Sequence, residues 1–374
     1  MSAPAGMQAL HERLGARFAE LNGRLVPRRY GDPAAEYAAA RQAAVLVDRS
    51  DRAVVRFHGR DPVRMLHGLV SNDLAGAPPG QGVYAALLTP KGKMIADVRL
   101  FRRPAGDVLL DLDGAALGAV LDHFRRSIPP LFARFDDVSA DLHVLGVYGP
   151  ESRRVLDTVL EGVPGVLRED GFVIRPFGDA EALVARSLYT GEDGYDVFVP
   201  AAAAGDFCSA VLEAGARPAG HAALEVLRIE AGRPRWGAEL TPEVIPLEAG
   251  LRQRAISETK GCYTGQEVIV RVLHRGHVNR LLRGLLLDDA PVPAPGAALV
   301  RPADPAADES RAVGRITSAC ASPRHRQTIA LGYVRREIEP PATLRLLAGG
   351  YEAMVVPLPF PSTDLGHPAP SPAE

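Results

Sequence analysis

Residues 189–196 read Tyr189-Thr190-Gly191-Glu192-Asp193-Gly194-Tyr195-Asp196, a glycine-punctuated turn that runs straight into an alternating pattern. Tyr195, Val197 and Val199 alternate with Asp196 and Phe198, and an apolar stretch over 182–188 precedes the turn. Period two on both sides predicts two strands, so the segment is the tip of a hairpin. Gly191 and Gly194 serve the turn, which needs backbone conformations that other residues resist. On local grounds alone its acids are solvated turn residues.

Upstream, residues 52–59 read as a strand closed by Gly59, and Asp61-Pro62 opens a helix with Val63, Leu66, Leu69 and Val70 on its apolar side. Strand patterns recur over 83–88, 95–101, 107–112 and 142–148. Residues 7–21 have mixed apolar spacing that fits a short helix, and Asp32-Pro33 starts another. Downstream come a helix near 152–160, strands near 172–175 and 182–188, and helices over 202–214 and 222–232, the last ending at Gly232. Strands and helices are interspersed without a regular βαβ rhythm, which predicts an α+β fold. After Arg280 the texture shifts to short strands near 311–317, 328–334 and 343–356, separated by Pro- and Gly-rich turns. That pattern predicts a small antiparallel β-domain over 281–360. Six prolines follow Val356, and residues 361–374 are expected to be a flexible tail.

The bulk numbers narrow the function classes. The chain has 374 residues, 47% of them hydrophobic, enough for two or three domains. Its formal net charge is −2, so no global field draws it to nucleic acid or an anionic membrane. No apolar run approaches the roughly 20 residues of a spanning helix. The N-terminal residues lack a signal-peptide pattern, so the expected location is cytoplasmic. Cysteines stand at 208, 262 and 320, with no CxxC, which argues against a disulfide framework or a cysteine-based metal site.

One cysteine sits in a distinctive setting. Residues 260–267 read Lys260-Gly261-Cys262-Tyr263-Thr264-Gly265-Gln266-Glu267. Thr264 and Glu267 fit a capping box for a helix over 268–273 that ends near Gly276, although the β-branched residues there also fit a strand. As a helix, the segment places Cys262 just before a positive dipole end, where that dipole and Lys260 favour the thiolate. Gly261 and Gly265 keep the loop narrow, open to a ligand or partner. The competing reading is a small buried cysteine in a tight turn. Cys208 and Cys320 lie in apolar or small-residue contexts and read as packing residues.

The 260–267 octapeptide resembles the signature of the YgfZ family, folate-binding proteins linked to iron–sulfur cluster maintenance. Over residues 27–360 the chain also resembles the wider glycine-cleavage T-protein (aminomethyltransferase) superfamily. The stretches that carry this are Tyr30-Gly31, Val47-Asp48, Ser71-Asn72-Asp73-Leu74, 189–196, Leu227-Arg228-Ile229-Glu230-Ala231-Gly232 and Pro246-Leu247-Glu248-Ala249. The resemblance implies a multi-domain α+β fold with folate-binding subdomains over 27–150 and 151–280, the second carrying Cys262, and a C-terminal β-barrel over 281–360. It implies tetrahydrofolate or a derivative as cofactor, with Tyr84, Tyr189, Asp196 and Arg228 as binding residues. The Asp196 carboxylate then accepts two hydrogen bonds from the amino and ring N–H edge of a pterin.

Departures from the aminomethyltransferase pattern redirect the expectation. Where that pattern has two adjacent acids, the first of them catalytic, this chain has Ala96 followed by Asp97. A methyl group neither orients an amine nor relays a proton. An arginine that helps hold folate in the T-protein aligns with Leu224. Asp97 either faces the folate cavity or pairs with a neighbour such as Arg99. Two functions follow. In the first, the chain is a folate-binding accessory factor for iron–sulfur assembly or repair. Cys262 is then the functional thiol, the rest of its motif (Lys260, Gly261, Tyr263, Gly265, Gln266, Glu267) shapes its setting, and client proteins supply the other cluster ligands. In the alternative, the chain is a C1 transferase or demethylase with Asp97 handling the proton. A scaffold without ligand is the third possibility.

Overall fold

Hydrogen-bonded pairing organises the described residues into two extended sheets, a closed barrel and a small two-stranded hairpin. The structure is a computed structural model that describes residues 5–165, 167–302 and 308–361. All but one residue of the expected 361–374 tail lies outside the described residues.

The first sheet has the strand order Val83–Leu88, Met94–Arg102, Val108–Asp113, Arg52–His58, Arg134–Asp137. The second runs Phe172–Phe177, Ala180–Arg186, Gly194–Pro200, Leu142–Tyr148, Val45–Asp48, with Arg217–Pro218 added in parallel at the edge. Val45–Asp48 and Leu142–Tyr148 are antiparallel neighbours in the second sheet, yet Arg52–His58 between them in sequence belongs to the first. The chain therefore crosses between sheets at Arg49-Ser50-Asp51, all three buried. The expected boundary at 150 falls inside a sheet rather than between two.

The sheets pack face to face because each presents an apolar row. Val54, Phe101 and Leu109 of the first meet Val144, Phe172, Leu183, Ala185 and Phe198 of the second. Phe101 stacks edge-on against both Phe172 and Phe198, with centroids 5.5 Å apart in each pair. Further along the same interface the side chains turn polar, and the candidate site begins there.

Residues from Arg280 to Val356 form the six-stranded antiparallel barrel expected from the C-terminal texture. Its strand Gly314–Ser322 contacts the helix His221–Glu230, so the barrel is docked on the α+β body. No helix among the described residues is long and apolar enough to cross a membrane.

Two local expectations are corrected. The helix expected over 7–21 stops at Arg13, and Arg17–Leu21 pairs with Arg24–Arg29 as a hairpin. The turn is Asn22-Gly23, both at positive φ (53° and 73°), the strongest short hairpin signal a sequence offers. The segment after Cys262 does form a helix, Gln266–Arg275, but without the expected capping box. Gly265, at φ +83°, is its N-cap and no side chain caps it.

Candidate functional site

The alternation along Met94–Arg102 decides which acid matters. Met94, Ala96, Val98 and Leu100 point into the main apolar cluster, and Ala96 is fully buried there. Asp97 and Arg99 point the opposite way, toward the polar end of the inter-sheet layer. An acid at position 96 would sit in hydrocarbon, so Ala96 removes nothing from the polar side. The acid that this chain retains, Asp97, is the one on the polar face of the strand. Leu224 likewise packs in an apolar cluster.

Asp97 is only partly buried, and its Oδ2 accepts from the Tyr84 hydroxyl at 3.0 Å. Burial pushes its pKa up, against the opposing pull of Arg52 and Tyr84. Tyr84 lines a cavity of about 340 Å³ together with Asn72, Asp73, Glu169, Asp170 and Arg254. The Arg254 guanidinium lies over the Tyr84 ring, 3.9 Å from its centroid, and pairs with Glu169 at 2.9 Å. Among the described residues Asp97 does not make the expected pairing with Arg99, which is engaged elsewhere.

Arg99 is the hub of the layer. It is the cross-strand partner of Tyr84 on one side and of Asp111 on the other. Its Nε donates to Asp170 at 2.8 Å, and its Nη1 donates to Asp111 at 3.3 Å and to Asp196. Asp196 comes from the opposite sheet, so this ion pair bridges the two. The second oxygen of Asp196 accepts from the Tyr148 hydroxyl, and Arg49 lies 4.0 Å away. The Tyr148 ring reaches Asp196 by lying over Gly146, where a Cβ would fall 2.3 Å from the ring. In this state both oxygens of Asp196 thus have internal partners, and the side chain is buried.

Burial alone would raise the Asp196 pKa, but Arg99 and Arg49 more than reverse it and hold it at about 2. A depressed folded pKa adds stability that is full above the ordinary carboxylate range and is lost as pH falls through the folded value. Asp196→Asn is expected to be less stable than the parent by about 2 kcal/mol at pH 6. That gap should shrink below pH 4 and close near pH 2, read by urea denaturation across this range.

The other two candidate binders lie further along. Tyr189 stacks on the Arg49 guanidinium at 4.9 Å, and burial lifts its phenol to about 12. Arg228 is fully buried and all five of its N–H groups are spent. They go to Glu225 twice, to the Arg233 carbonyl, to Glu239 and to Ser318 of the barrel. In this state the side chain joins the barrel to the body and has no donor left for a ligand.

The Cys262 motif lies at the turn end of the first sheet. A Cβ on Gly265 would fall 2.6 Å from the Thr89 carbonyl, and one on Gly92 would meet Val268 at 2.9 Å. The 260–268 segment and the Lys91-Gly92-Lys93 turn are thus pressed together where only glycine fits. Lys260 is pinned by the carbonyls of His67, Val70 (2.7 Å) and Asn72 (3.1 Å), and burial lowers its pKa to about 8. Its three N–H donors are spent, so Lys260 is a clamp on the 67–72 loop rather than a donor to the thiol. Tyr263 is buried beside the Lys260 ammonium, at 5.1 Å. Cys262 itself is exposed and is absent from the lining of the Tyr84 cavity, whereas Cys208 and Cys320 are buried. Brief alkylation of the native protein should therefore mark one thiol per chain at Cys262, and denaturation should expose all three to intact-mass analysis.

Sequence reasoning missed Arg49, Asp111, Tyr148, Asp170 and Arg254. Their partners lie across the sheet interface, far apart in the chain, so no local spacing announces them. The available signal was polar residues on strands that are otherwise continuously apolar, such as Asp111 within Val-Leu-Leu-Asp-Leu-Asp.

Two sheets with a polar inter-sheet layer, closed by a docked barrel, define a T-protein fold. Residues 7–260 match the GCVT N-terminal domain, and residues 280–361 match the glycine cleavage T-protein C-terminal barrel domain. The chain is 34% identical over 350 residues to an aminomethyltransferase of Rubrobacter xylanophilus, covering 94% of this chain and 92% of that one. It is 30% identical to an aminomethyltransferase of Thermus thermophilus, with 94% and 96% covered. The crystal structure of glycine cleavage system aminomethyltransferase T from Bartonella henselae superposes with a TM-score of 0.85 at 25% identity, covering 96% of this chain and 98% of that one. The chain belongs to the glycine cleavage T-protein family.

Proposed function

We propose that this protein binds a reduced folate at the polar layer between its sheets and transfers a one-carbon unit to tetrahydrofolate, with Asp97 handling the proton. The observation that carries this reading is Asp97 itself. It is the acid of its strand that faces the layer, its carboxylate is held by the Tyr84 hydroxyl, and burial raises its pKa toward the range where an acid can take and return a proton. The aminomethyltransferase names of the relatives support the same chemistry.

The residues fit a folate by three features. The cavity of about 340 Å³ is within the size of small-molecule sites. Tyr84 offers an aromatic wall. Buried donors at Arg99 Nη2 and Arg254 Nε lack partners among the described residues and suit an acceptor-bearing ligand. Bound tetrahydrofolate would supply the nitrogen that receives the carbon unit. The chain would orient that nitrogen, keep water from it and hold a proton at Asp97. The proposal places this work in the cytoplasm and involves no nucleic acid. It divides the body into subdomains over 27–150 and 151–280 that share the second sheet. Incubating the purified protein with tetrahydrofolate and methylamine or aminomethyl donors tests it. Methylene- or methyl-folate is the expected product, and its absence with every donor would sink the transfer reading.

A second reading is favoured by one observation, the exposed Cys262 on a motif clamped by Lys260. Here the protein is a folate-binding accessory factor for iron–sulfur clusters, and the thiolate is a transient soft ligand. One thiol cannot hold a cluster, so client proteins such as radical tRNA-modifying enzymes supply the rest. Loss of iron–sulfur enzyme activities in a deletion strain is the expected result. Full complementation by Cys262→Ala would remove the thiol from the mechanism.

A further inference from the structure

Arg99 has two N–H groups that no described protein atom accepts. Its Nε and Nη1 are spent on Asp170, Asp111 and Asp196, while Nη2 is buried without a partner. Arg254 shows the same deficit at Nε. Buried donors are rarely left unpaired, because a lost hydrogen bond to water is not recovered. The two deficits are neighbours. Arg99 holds one oxygen of Asp170, and Arg254 lies 3.8 Å from the other. Asp170 and Arg254 line the cavity beside Tyr84, which stands opposite Arg99 in the strand register.

Charge says what kind of acceptor is missing. Asp111, Asp170, Asp196 and Glu169 each pair with an arginine among Arg49, Arg52, Arg99, Arg233 and Arg254, and Asp97 and the cavity-lining Asp73 add further acids. With the arginines already matched by acids, a neutral carbonyl oxygen completes the set better than an anion, which would bring a further negative charge into a buried layer.

We propose that Arg99 is a specificity-determining residue that donates through Nη2 to a ring carbonyl of the bound folate. This inference rests on the folate reading above. Along one edge of a pterin the exocyclic amine, the ring N–H and the 4-oxo oxygen follow in order: donor, donor, acceptor. Each Asp196 oxygen keeps a second lone pair beside the one given to Arg99 or Tyr148, and Arg99 Nη2 adds a donor, so the pair offers the complement: acceptor, acceptor, donor. The pair is fixed before any ligand arrives, since Arg99 is held by Asp111 of one sheet, Asp196 of the other and Asp170 of the turn before Phe172. A 4-amino folate turns the carbonyl acceptor into a donor aimed at a guanidinium, and it also removes the ring N–H.

Calorimetric titration of the full chain with tetrahydrofolate and with tetrahydroaminopterin, its 4-amino counterpart, tests this. The wild type should prefer the 4-oxo compound by about 100-fold or more, since sites that hydrogen-bond a polar group reject analogues lacking it strongly. Arg99→Met should cut that preference by at least about tenfold, the value of a charge-assisted hydrogen bond. Arg99→Lys, which keeps the charge, should fall between. A purely structural Arg99 would weaken both ligands alike and leave the ratio unchanged, which would overturn the proposal. Should neither variant fold, the wild-type ratio still decides, because near-equal binding of the two compounds overturns it. Binding of neither compound would overturn the folate reading, and this inference with it.

Discussion

Asp97→Asn is expected to lower one-carbon transfer to tetrahydrofolate by about two to four orders of magnitude, the usual range for removing a positioned acid or base. Asparagine keeps the shape of the side chain and an oxygen for the Tyr84 hydroxyl, so folate affinity should change by no more than about threefold. Stability should hold or rise. Burial raises the Asp97 pKa, so at neutral pH its charged form costs free energy that an amide avoids. The companion change, Ala96→Asp, separates this site from the position beside it. It drives a carboxylate into the cluster of Met94, Val98 and Leu100, with a cost of about 3 kcal/mol or more and no gain in rate. Steady-state assays and thermal melts on the two variants give opposite signatures. A gain of activity in Ala96→Asp would contradict the strand-face argument.

Arg228→Met should give the largest loss of stability, about 3–5 kcal/mol, because it leaves the fully buried Glu239 without its cation. The loss should be felt first at the barrel. Ser318 loses its Arg228 contact, although it and Thr317 still donate to Glu239. Limited proteolysis should then cut near the start of the barrel strand Arg280–Leu287 sooner than in the parent. A urea midpoint within experimental error of the parent would show that the cluster does not secure the joint.

The fold was legible where pattern and length agreed. The 83–88 strand, the helix near 152–160 and the C-terminal strands follow from apolar spacing, and the structure has Val83–Leu88, Ser152–Val159 and a closed barrel. Local pattern failed where a turn signal was overlooked, at Asn22-Gly23, and where a glycine took the capping role assigned to Thr264. The site was legible in parts. Asp97, Tyr84 and Asp196 were named from sequence; Tyr84 holds Asp97, and Arg99, opposite Tyr84 in the strand register, holds Asp196. Their relation was not legible, because Arg99, Asp111, Tyr148 and Asp170 meet only after two sheets close on each other. The role of Ala96 needed the strand's phase against its neighbours, which a single sequence does not show.

The crossing at Arg49-Ser50-Asp51 also bears on how the chain is made. Val45–Asp48 leaves the ribosome long before its sheet partner Leu142–Tyr148, and the rest of that sheet, through Arg217–Pro218, follows later still. The first sheet can assemble meanwhile from Arg52–Asp137, holding the earlier strand at its border with a bare edge. A nascent chain paused there displays a β-edge with nothing to pair with, the kind of surface that invites wrong partners. Fragments ending near residue 150 can pair Val45–Asp48 with Leu142–Tyr148 but leave the other side of Leu142–Tyr148 without Gly194–Pro200, so expression of the N-terminal portion alone should yield aggregates, whereas a chain running past the second sheet can close it.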